Sequence, residues 1–276
     1  MRNEKEVFDM ILNYAKKNDD IRAVLMNGSR TNPNADKDNF RDYDIVYVVK
    51  DPKKYLSDRS FIDVFGKTII IQQNNLYLNN DEYYIFLMLF EDGVRIDLQF
   101  FPLDQINTRE CDSLEAVLLD KDNIISELPT PNEEMYYVKK PSKNEFEKTV
   151  NNFWWCLNNV VKGIHRDQLC YVKSMYDIVI KQDINKIIDW YIGMNNDWKV
   201  NVGLFGKYYK KYLSTDLYEL FKKTYANANY DEIWDSIDYS CELLRMLAIP
   251  LSKSLSYDYP IVDDIKMSLY LEKMRK

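Results

Sequence analysis

The sequence predicts an α/β (α+β) protein in which an N-terminal domain with a mixed sheet is followed by a C-terminal all-helical domain. Runs of β-branched and aromatic residues recur through residues 21–101, and apolar residues at helical spacing dominate beyond residue 142. Prolines at positions 129, 131 and 141 punctuate the stretch between these two parts. We therefore expect two domains, residues 1–135 and residues 136–276.

The composition is that of an ordinary globular protein with an acidic surface. The 276 residues are 46% hydrophobic and 29% charged, and the formal net charge is −7. A nucleic-acid groove requires a basic face, whereas acidic walls favour a cationic small substrate. The N-terminus lacks the apolar core of a signal peptide, and no apolar run reaches membrane-spanning length. We expect a cytoplasmic monomer or small homo-oligomer without nucleic-acid or membrane partners.

The first elements follow from hydrophobic periodicity. Residues 4–17 carry apolar side chains on one helical face and predict an amphipathic helix. Strands are then predicted to begin at Ile21 and to span residues 43–49 and 68–72. The loop at residues 32–41 is too polar for a long helix.

Two apolar runs flank a turn signal near residue 92. Residues 83–90 suit either a strand or a buried helix, and residues 94–101 alternate between apolar and polar side chains. The Asp92-Gly93 pair between them favours a β-hairpin. After Pro102 the spacing of Leu114, Val117 and Leu118 predicts a helix.

The C-terminal part shows helical signals only. Ser142 and Glu145 form a capping-box pattern at the start of a long helix. Further helices are predicted over residues 167–180, 186–193, 217–225 and 231–249.

The stretch from residue 27 to residue 49 carries the chemistry. Gly28 permits a tight turn after an apolar run, and the Ser29 hydroxyl with neighbouring N–H groups is suited to a phosphate oxygen. Asp42 and Asp44 are two residues apart at the head of a strand, so their carboxylates face the same side. Crowded carboxylates require a compensating cation, and oxygen ligands suit Mg²⁺. The stretch predicts metal-assisted chemistry on a nucleotide.

A third carboxylate lies on the polar face of the strand at residues 94–101. Ile96, Leu98 and Phe100 alternate there with Arg95, Asp97 and Gln99. A charge in the middle of a strand is costly without a partner. Asp97 is therefore a candidate functional residue.

The Gly-Ser pair and the D-x-D pattern resemble the DNA polymerase β-like nucleotidyltransferase superfamily. The longer string GSRTNPNADKDNFRDYDIVYVV is similar to the aminoglycoside 6-adenylyltransferases that modify streptomycin. The resemblance implies a polymerase β-like catalytic domain, residues 1–135, and a helical substrate-binding domain, residues 136–276. It also implies Mg²⁺-dependent transfer of AMP from ATP to the 6-hydroxyl of streptomycin, with release of pyrophosphate. In such enzymes Asp97 completes the metal site with Asp42 and Asp44, as ligand of a second metal or as acceptor of the hydroxyl proton.

Several basic residues are candidates for binding the triphosphate. Arg30 and Arg41 are either solvated cations or phosphate clamps, and the sequence does not separate these roles. The segment around residues 162–173 resembles a helix of related adenylyltransferases in which a basic residue reaches the triphosphate, a role expected of Arg166 or Lys173. His165, the single histidine, is more typical of a structural residue.

Two alternative functions stay open from the sequence. One is a nucleotidyltransferase of the same fold that acts on another small-molecule or protein acceptor. The other is a non-catalytic nucleotide-binding or interaction module, which the intact carboxylates and Gly-Ser pair disfavour.

Overall fold

The computed structural model describes residues 2–78 and 81–276. The chain divides into two compact units, the first ending at Met135 and the second comprising Tyr136–Lys276. The first unit contains a six-stranded mixed sheet and the second is built from helices. The predicted fold class is confirmed.

The first unit opens with helix α1 (Glu4–Lys17), which Asn3 and Glu6 cap reciprocally. The strands are β1 (Ile21–Asn27), β2 (Tyr43–Val49), β3 (Thr68–Leu78), β4 (Asp81–Phe90), β5 (Arg95–Pro102) and β6 (Glu115–Asp120). Two short helices, α2 (Pro52–Ser57) and α3 (Phe61–Phe65), lie between β2 and β3.

The strand order is β3-β4-β5-β2-β1-β6, and neighbouring strands are antiparallel except for the parallel pair β2 and β5. One face of the sheet shares a core with α1, where the hydroxyl of Tyr47 donates to the carbonyl of Ile11 at 2.7 Å. A smaller apolar cluster that includes Leu25 and Val48 covers the alternate side chains. Burial on both faces explains why β1 and β2 are continuous apolar runs.

The N-terminal predictions agree with the structure except after β5. Strands β4 and β5 form the favoured hairpin, closed at Asp92-Gly93 by a bond from the Gly93 N–H to the Phe90 carbonyl. The helix predicted around Leu114, Val117 and Leu118 is wrong, since β6 pairs there with β1. The edge strand β6 buries Glu115 and does not alternate between buried apolar and exposed polar residues. The sequence pattern that would predict a strand is therefore missing here. A 3₁₀ helix, Leu103–Thr108, follows β5 directly.

The second unit begins with α4 (Lys143–His165), which starts at the predicted capping box of Ser142 and Glu145. A π-helical turn, Met175–Ile180, joins α5 to α6. The remaining helices are α5 (Leu169–Ser174), α6 (Lys181–Met194), α7 (Tyr209–Tyr212), α8 (Thr215–Lys223), α9 (Tyr230–Leu255) and α10 (Ile261–Arg275). They enclose a core that includes Trp154, Ile188 and Leu244. Over residues 2–78 and 81–276, no helix is both long and apolar enough to cross a bilayer.

Candidate active site

The parallel pair of strands brings together the three aspartates that the sequence singled out. Asp44 on β2 is in register with Asp97 on β5, and Asp42 precedes β2 by one residue. Side chains in register on neighbouring strands lie close together on one face of the sheet. Asp42, Asp44 and Asp97 thus form one group of carboxylates, which we call the aspartate cluster.

The carboxylates of this cluster disfavour one another's charge. Burial, followed by the negative charges of Asp97 and Asp42, raises the pKa of Asp44 to about 6. Burial also raises the pKa of Asp42, an effect that the nearby Arg95 guanidinium opposes. The Asp44 carboxylate has no hydrogen bond or ion pair to any residue that the structure describes. An added cation would stabilise the ionised form of the whole cluster.

Arg95 supplies both ion pairs that the cluster has within the described ranges. Its guanidinium donates two hydrogen bonds to Asp97, from Nε to Oδ1 at 2.8 Å and from Nη2 to Oδ2 at 2.6 Å. Its Nη1 lies 3.3 Å from Oδ2 of Asp42. Arg95 was not among the predicted site residues, although its position two residues before Asp97 on one strand face was the available signal.

Gly28 begins a 3₁₀ turn, Gly28–Arg30, directly after β1. Its φ of +76° lies in the left-handed region that favours glycine. A Cβ atom at this position would lie 2.3 Å from Oδ2 of Asp44. The absence of a side chain at Gly28 therefore leaves the space that the Asp44 carboxylate occupies.

The turn is anchored by the chain that leads into β6. The Gly28 N–H donates to the carbonyl of Leu114 at 3.2 Å, and the Thr31 hydroxyl donates to the same carbonyl at 2.7 Å. The Ser29 hydroxyl has no hydrogen-bond partner in the described part of the chain. Phosphate binding by the Ser29 hydroxyl stays a prediction.

Glu115 supports the turn through a contact with Asn27 and was not among the predicted site residues. It is 2% exposed, forms an ion pair with Arg109 and lies opposite Asn27 in the β1–β6 pairing. With its amide oriented to suit its neighbours, Asn27 donates to Oε2 of Glu115 at 2.9 Å. Because Glu115 was assigned to a predicted helix, its position beside the turn was not foreseeable from spacing.

The two arginines of the motif have different surroundings. The Arg30 guanidinium donates to the carbonyls of Arg41 and Asp42 at 2.9 and 3.0 Å and lies 3.5 Å from the centre of the Tyr43 ring. It therefore holds the chain where it enters β2. Arg41 has a buried Nε with no hydrogen-bond partner in the portion described, and it lines a cavity of about 320 Å³ together with Lys37. A phosphate-binding role for either arginine stays a prediction.

The basic candidates of the second unit lie near the end of α4. Arg166 is an exposed residue at the C-cap of α4. Lys173 on α5 donates to the carbonyl of Ala226 at 2.7 Å and pairs with Asp177 at 2.9 Å. His165 contacts the carbonyl of Met274 through Nε2 at 2.8 Å, which fits its expected structural role. Triphosphate binding by Arg166 or Lys173 stays a prediction.

Comparison with known proteins identifies the family. The family model for streptomycin adenylyltransferase matches residues 1–274. The chain belongs to the streptomycin adenylyltransferase family. It is 34% identical to an aminoglycoside 6-adenylyltransferase of Campylobacter jejuni, over 100% of this chain and 97% of the relative. It is 33% identical to the corresponding protein of Bacillus subtilis (strain 168), over 96% of this chain and 95% of the relative. The recognition of an adenylyltransferase family is confirmed, and the chain is a nucleotidyltransferase enzyme.

A solved structure described as an aminoglycoside 6-adenyltransferase from Bacillus subtilis is similar over the full length. The sequence identity is 27% and the TM-score is 0.49, with 100% of this chain and 99% of that chain covered.

The residue types of the aspartate cluster, though not their arrangement in this structure, suit a magnesium ion in this adenylyltransferase. Three carboxylates are hard oxygen donors, and the raised pKa of Asp44 marks a shortage of positive charge. Across the described ranges, no three His, Cys, Asp or Glu side chains are arranged to hold a metal ion, and Arg95 lies against Asp42 and Asp97. Magnesium binding therefore stays a prediction.

Replacing Gly28 by alanine should displace the Asp44 carboxylate, because the new Cβ would overlap it in a strained backbone conformation. We expect a loss of about a hundredfold in adenylyl transfer, as for other displacements of about 1 Å in an active site. Steady-state kinetics measure this loss. Gly66→Ala is the matched control, since Gly66 also has a positive φ but its Cβ would meet no atom closer than 3.7 Å. Equal activities of the two variants would contradict this role of Gly28.

Replacing Asp44 by asparagine should stabilise the ligand-free protein above pH 6. The folded pKa of about 6 exceeds the usual 3.8, so ionised Asp44 opposes folding at neutral pH. A shift of about two pKa units corresponds to at most about 3 kcal/mol. The gain should be present above pH 7 and vanish below pH 4, measured by urea unfolding across this range. Asp122→Asn should show no such gain, because pairing with Arg22 lowers the pKa of Asp122. A gain for Asp44→Asn that is independent of pH would exclude the electrostatic cause.

Proposed function

We propose that this enzyme transfers AMP from ATP to a hydroxyl of streptomycin, at the 6-position by family resemblance, and releases pyrophosphate. The observation that carries the proposal is the family match over residues 1–274 together with an intact aspartate cluster beside the Gly28–Arg30 turn. Adenylylation adds bulk and negative charge to the antibiotic, which then no longer fits its ribosomal target. The enzyme would thereby confer aminoglycoside resistance, acting in the cytoplasm where ATP is available.

The aspartate cluster is the proposed reaction centre. A magnesium ion held by Asp42, Asp44 and Asp97 would neutralise the triphosphate and polarise the α-phosphorus. Asp97 is also suited to accept the proton of the attacking hydroxyl at a carboxylate oxygen. The hydroxyl oxygen forms a bond to the α-phosphorus while the bond to the bridging oxygen breaks, and pyrophosphate leaves with that oxygen.

The proposed phosphate contacts come from groups with unused donors. The Ser29 hydroxyl has no partner in the residues described, and the Arg41 Nε is likewise unpaired. Arg166 and Lys173 are further candidates from the second unit, although Lys173 already donates to Asp177 and Ala226. Donors of this kind orient the leaving phosphates and stabilise the charge that develops on them.

The helical unit is the proposed antibiotic-binding domain, and α6 offers acceptors for a guanidinium group. Burial raises the pKa of Asp189 to about 6, and among the described residues its carboxylate accepts a hydrogen bond only from the Tyr209 hydroxyl, at 2.5 Å. One helical turn earlier, Oδ1 of Asn185 is buried without a partner in the described portion of the chain. A guanidinium donates to several oxygens at once and would satisfy both groups.

Pyrophosphate release tests the proposed reaction. We would incubate the enzyme with ATP and Mg²⁺ and with streptomycin, spectinomycin, kanamycin or lincomycin. Release is expected with streptomycin alone, and Asp97→Asn should abolish turnover while ATP binding is largely retained. Release with a different acceptor would change the assigned substrate but not the proposed reaction type. No release with any acceptor would refute the proposal. Undiminished turnover of Asp97→Asn would remove Asp97 from the mechanism.

Asp189→Asn should raise the KM for streptomycin by about tenfold to a hundredfold, the effect of losing a hydrogen bond to a charged group. The KM for ATP should stay constant, because the change affects only the proposed antibiotic site. Asp183→Asn is the control on the same helix, since Asp183 is 5% exposed and already accepts from Asn152 at 2.6 Å. An unchanged KM for streptomycin in Asp189→Asn would exclude this contact.

A further inference from the structure

A single arginine bridges two of the three carboxylates of the aspartate cluster. The Arg95 guanidinium makes paired hydrogen bonds to Asp97 and reaches Oδ2 of Asp42 at 3.3 Å. The other nearby guanidinium, that of Arg30, is directed at the carbonyls of Arg41 and Asp42 instead. In the described ranges Arg95 is therefore the only cationic side chain that forms an ion pair with the cluster.

Arg95 lies at the exposed rim of the cluster. Its side chain is 43% exposed, compared with 34% for Asp42 and 10% for Asp97. It is held by Asp97 and Asp42 alone and has no backbone acceptor in the described structure. Because the guanidinium is partly exposed and, in the described structure, pairs only with two carboxylates, a cation that binds the same carboxylates would displace it toward solvent.

We propose that Arg95 is a displaceable counter-ion of the aspartate cluster, and that a divalent cation must replace it to bind. The inference rests on the proposed metal site at Asp42, Asp44 and Asp97. The guanidinium and the metal compete for the oxygens of Asp42 and Asp97, so the ligand-free enzyme binds a divalent cation weakly. ATP favours the exchange because its phosphates add oxygen ligands for the metal and provide a new anionic partner for Arg95.

The pairing also explains how the ligand-free fold tolerates three carboxylates between β2 and β5. An uncompensated buried charge is strongly destabilising, and Arg95 offsets the charge of Asp97 and part of that of Asp42. Arg95 does not contact Asp44, and burial raises the pKa of Asp44 even though the charge of Arg95 acts to lower it. Arg95 thus stabilises the three carboxylates when no metal is bound, and it lowers their affinity for a metal.

Manganese binding in the absence of nucleotide tests the proposal. The free Mn²⁺ signal in electron paramagnetic resonance gives the Kd for wild type and for Arg95→Gln. We expect Arg95→Gln to bind Mn²⁺ at least about tenfold more tightly, since a nearby positive charge is removed from the ligands. Arg22→Gln is the matched control, because it removes the same charge and the paired hydrogen bonds to Asp122 in the same unit. Its Kd should equal that of wild type.

The outcomes separate this inference from the proposed function. If Arg95→Gln binds Mn²⁺ as tightly as wild type or more weakly, the proposal that a metal must displace Arg95 is overturned. If, in that case, Asp44→Asn loses Mn²⁺ binding, the metal site of the proposed function still stands. If Asp44→Asn binds Mn²⁺ as tightly as wild type, both the displacement of Arg95 and the metal site of the proposed function are refuted.

A second measurement uses the wild-type protein and is independent of how the variant folds. The Nε–H resonance of Arg95 should be protected from exchange with water while it is paired with Asp97. Addition of Mg²⁺ and ATP should move this resonance, because Arg95 exchanges the Asp97 carboxylate for a phosphate. An unchanged Arg95 resonance at saturating Mg²⁺ and ATP would overturn the proposal.

Discussion

Electrostatic repulsion between the carboxylates of Asp42, Asp44 and Asp97 is the constraint on which the organisation of the sheet unit depends. The parallel pairing of β2 with β5 places Asp44 beside Asp97, and burial strengthens the repulsion by excluding water. Arg95 offsets part of this charge from the rim of the site. The fold therefore holds three carboxylates close together on one face of the sheet, with Arg95 as the counter-ion of two of them.

The surrounding backbone is shaped to keep this arrangement. Gly28 leaves room for the Asp44 carboxylate, and Arg30 fixes the chain where it enters β2 by binding two carbonyls. The chain that leads into the edge strand β6 also contributes, since the Leu114 carbonyl accepts hydrogen bonds from Gly28 and Thr31. This segment thus anchors the turn that carries Ser29.

The distribution of charge suits two substrates of opposite sign. ATP is a polyanion, and the sheet unit offers unpaired donors at Ser29 and Arg41 next to the proposed cation site. An aminoglycoside is a polycation, and the helical unit offers the carboxylate of Asp189 without a cationic partner in the described structure. The net charge of −7 agrees with recruitment of a cationic acceptor. Each proposed substrate would therefore supply the charge that the side chains around its site lack.

The sequence by itself determined the fold class, the β4–β5 hairpin, the capped start of α4 and the candidate aspartates, because periodicity, turn residues and caps are local signals. Only the tertiary structure decided that β6 is a strand, that Glu115 supports the turn, and that Arg95 pairs with Asp97 and Asp42. These features depend on which strands become neighbours and in what register. The energy of such pairings comes from residues far apart in the chain, and a local pattern does not contain it.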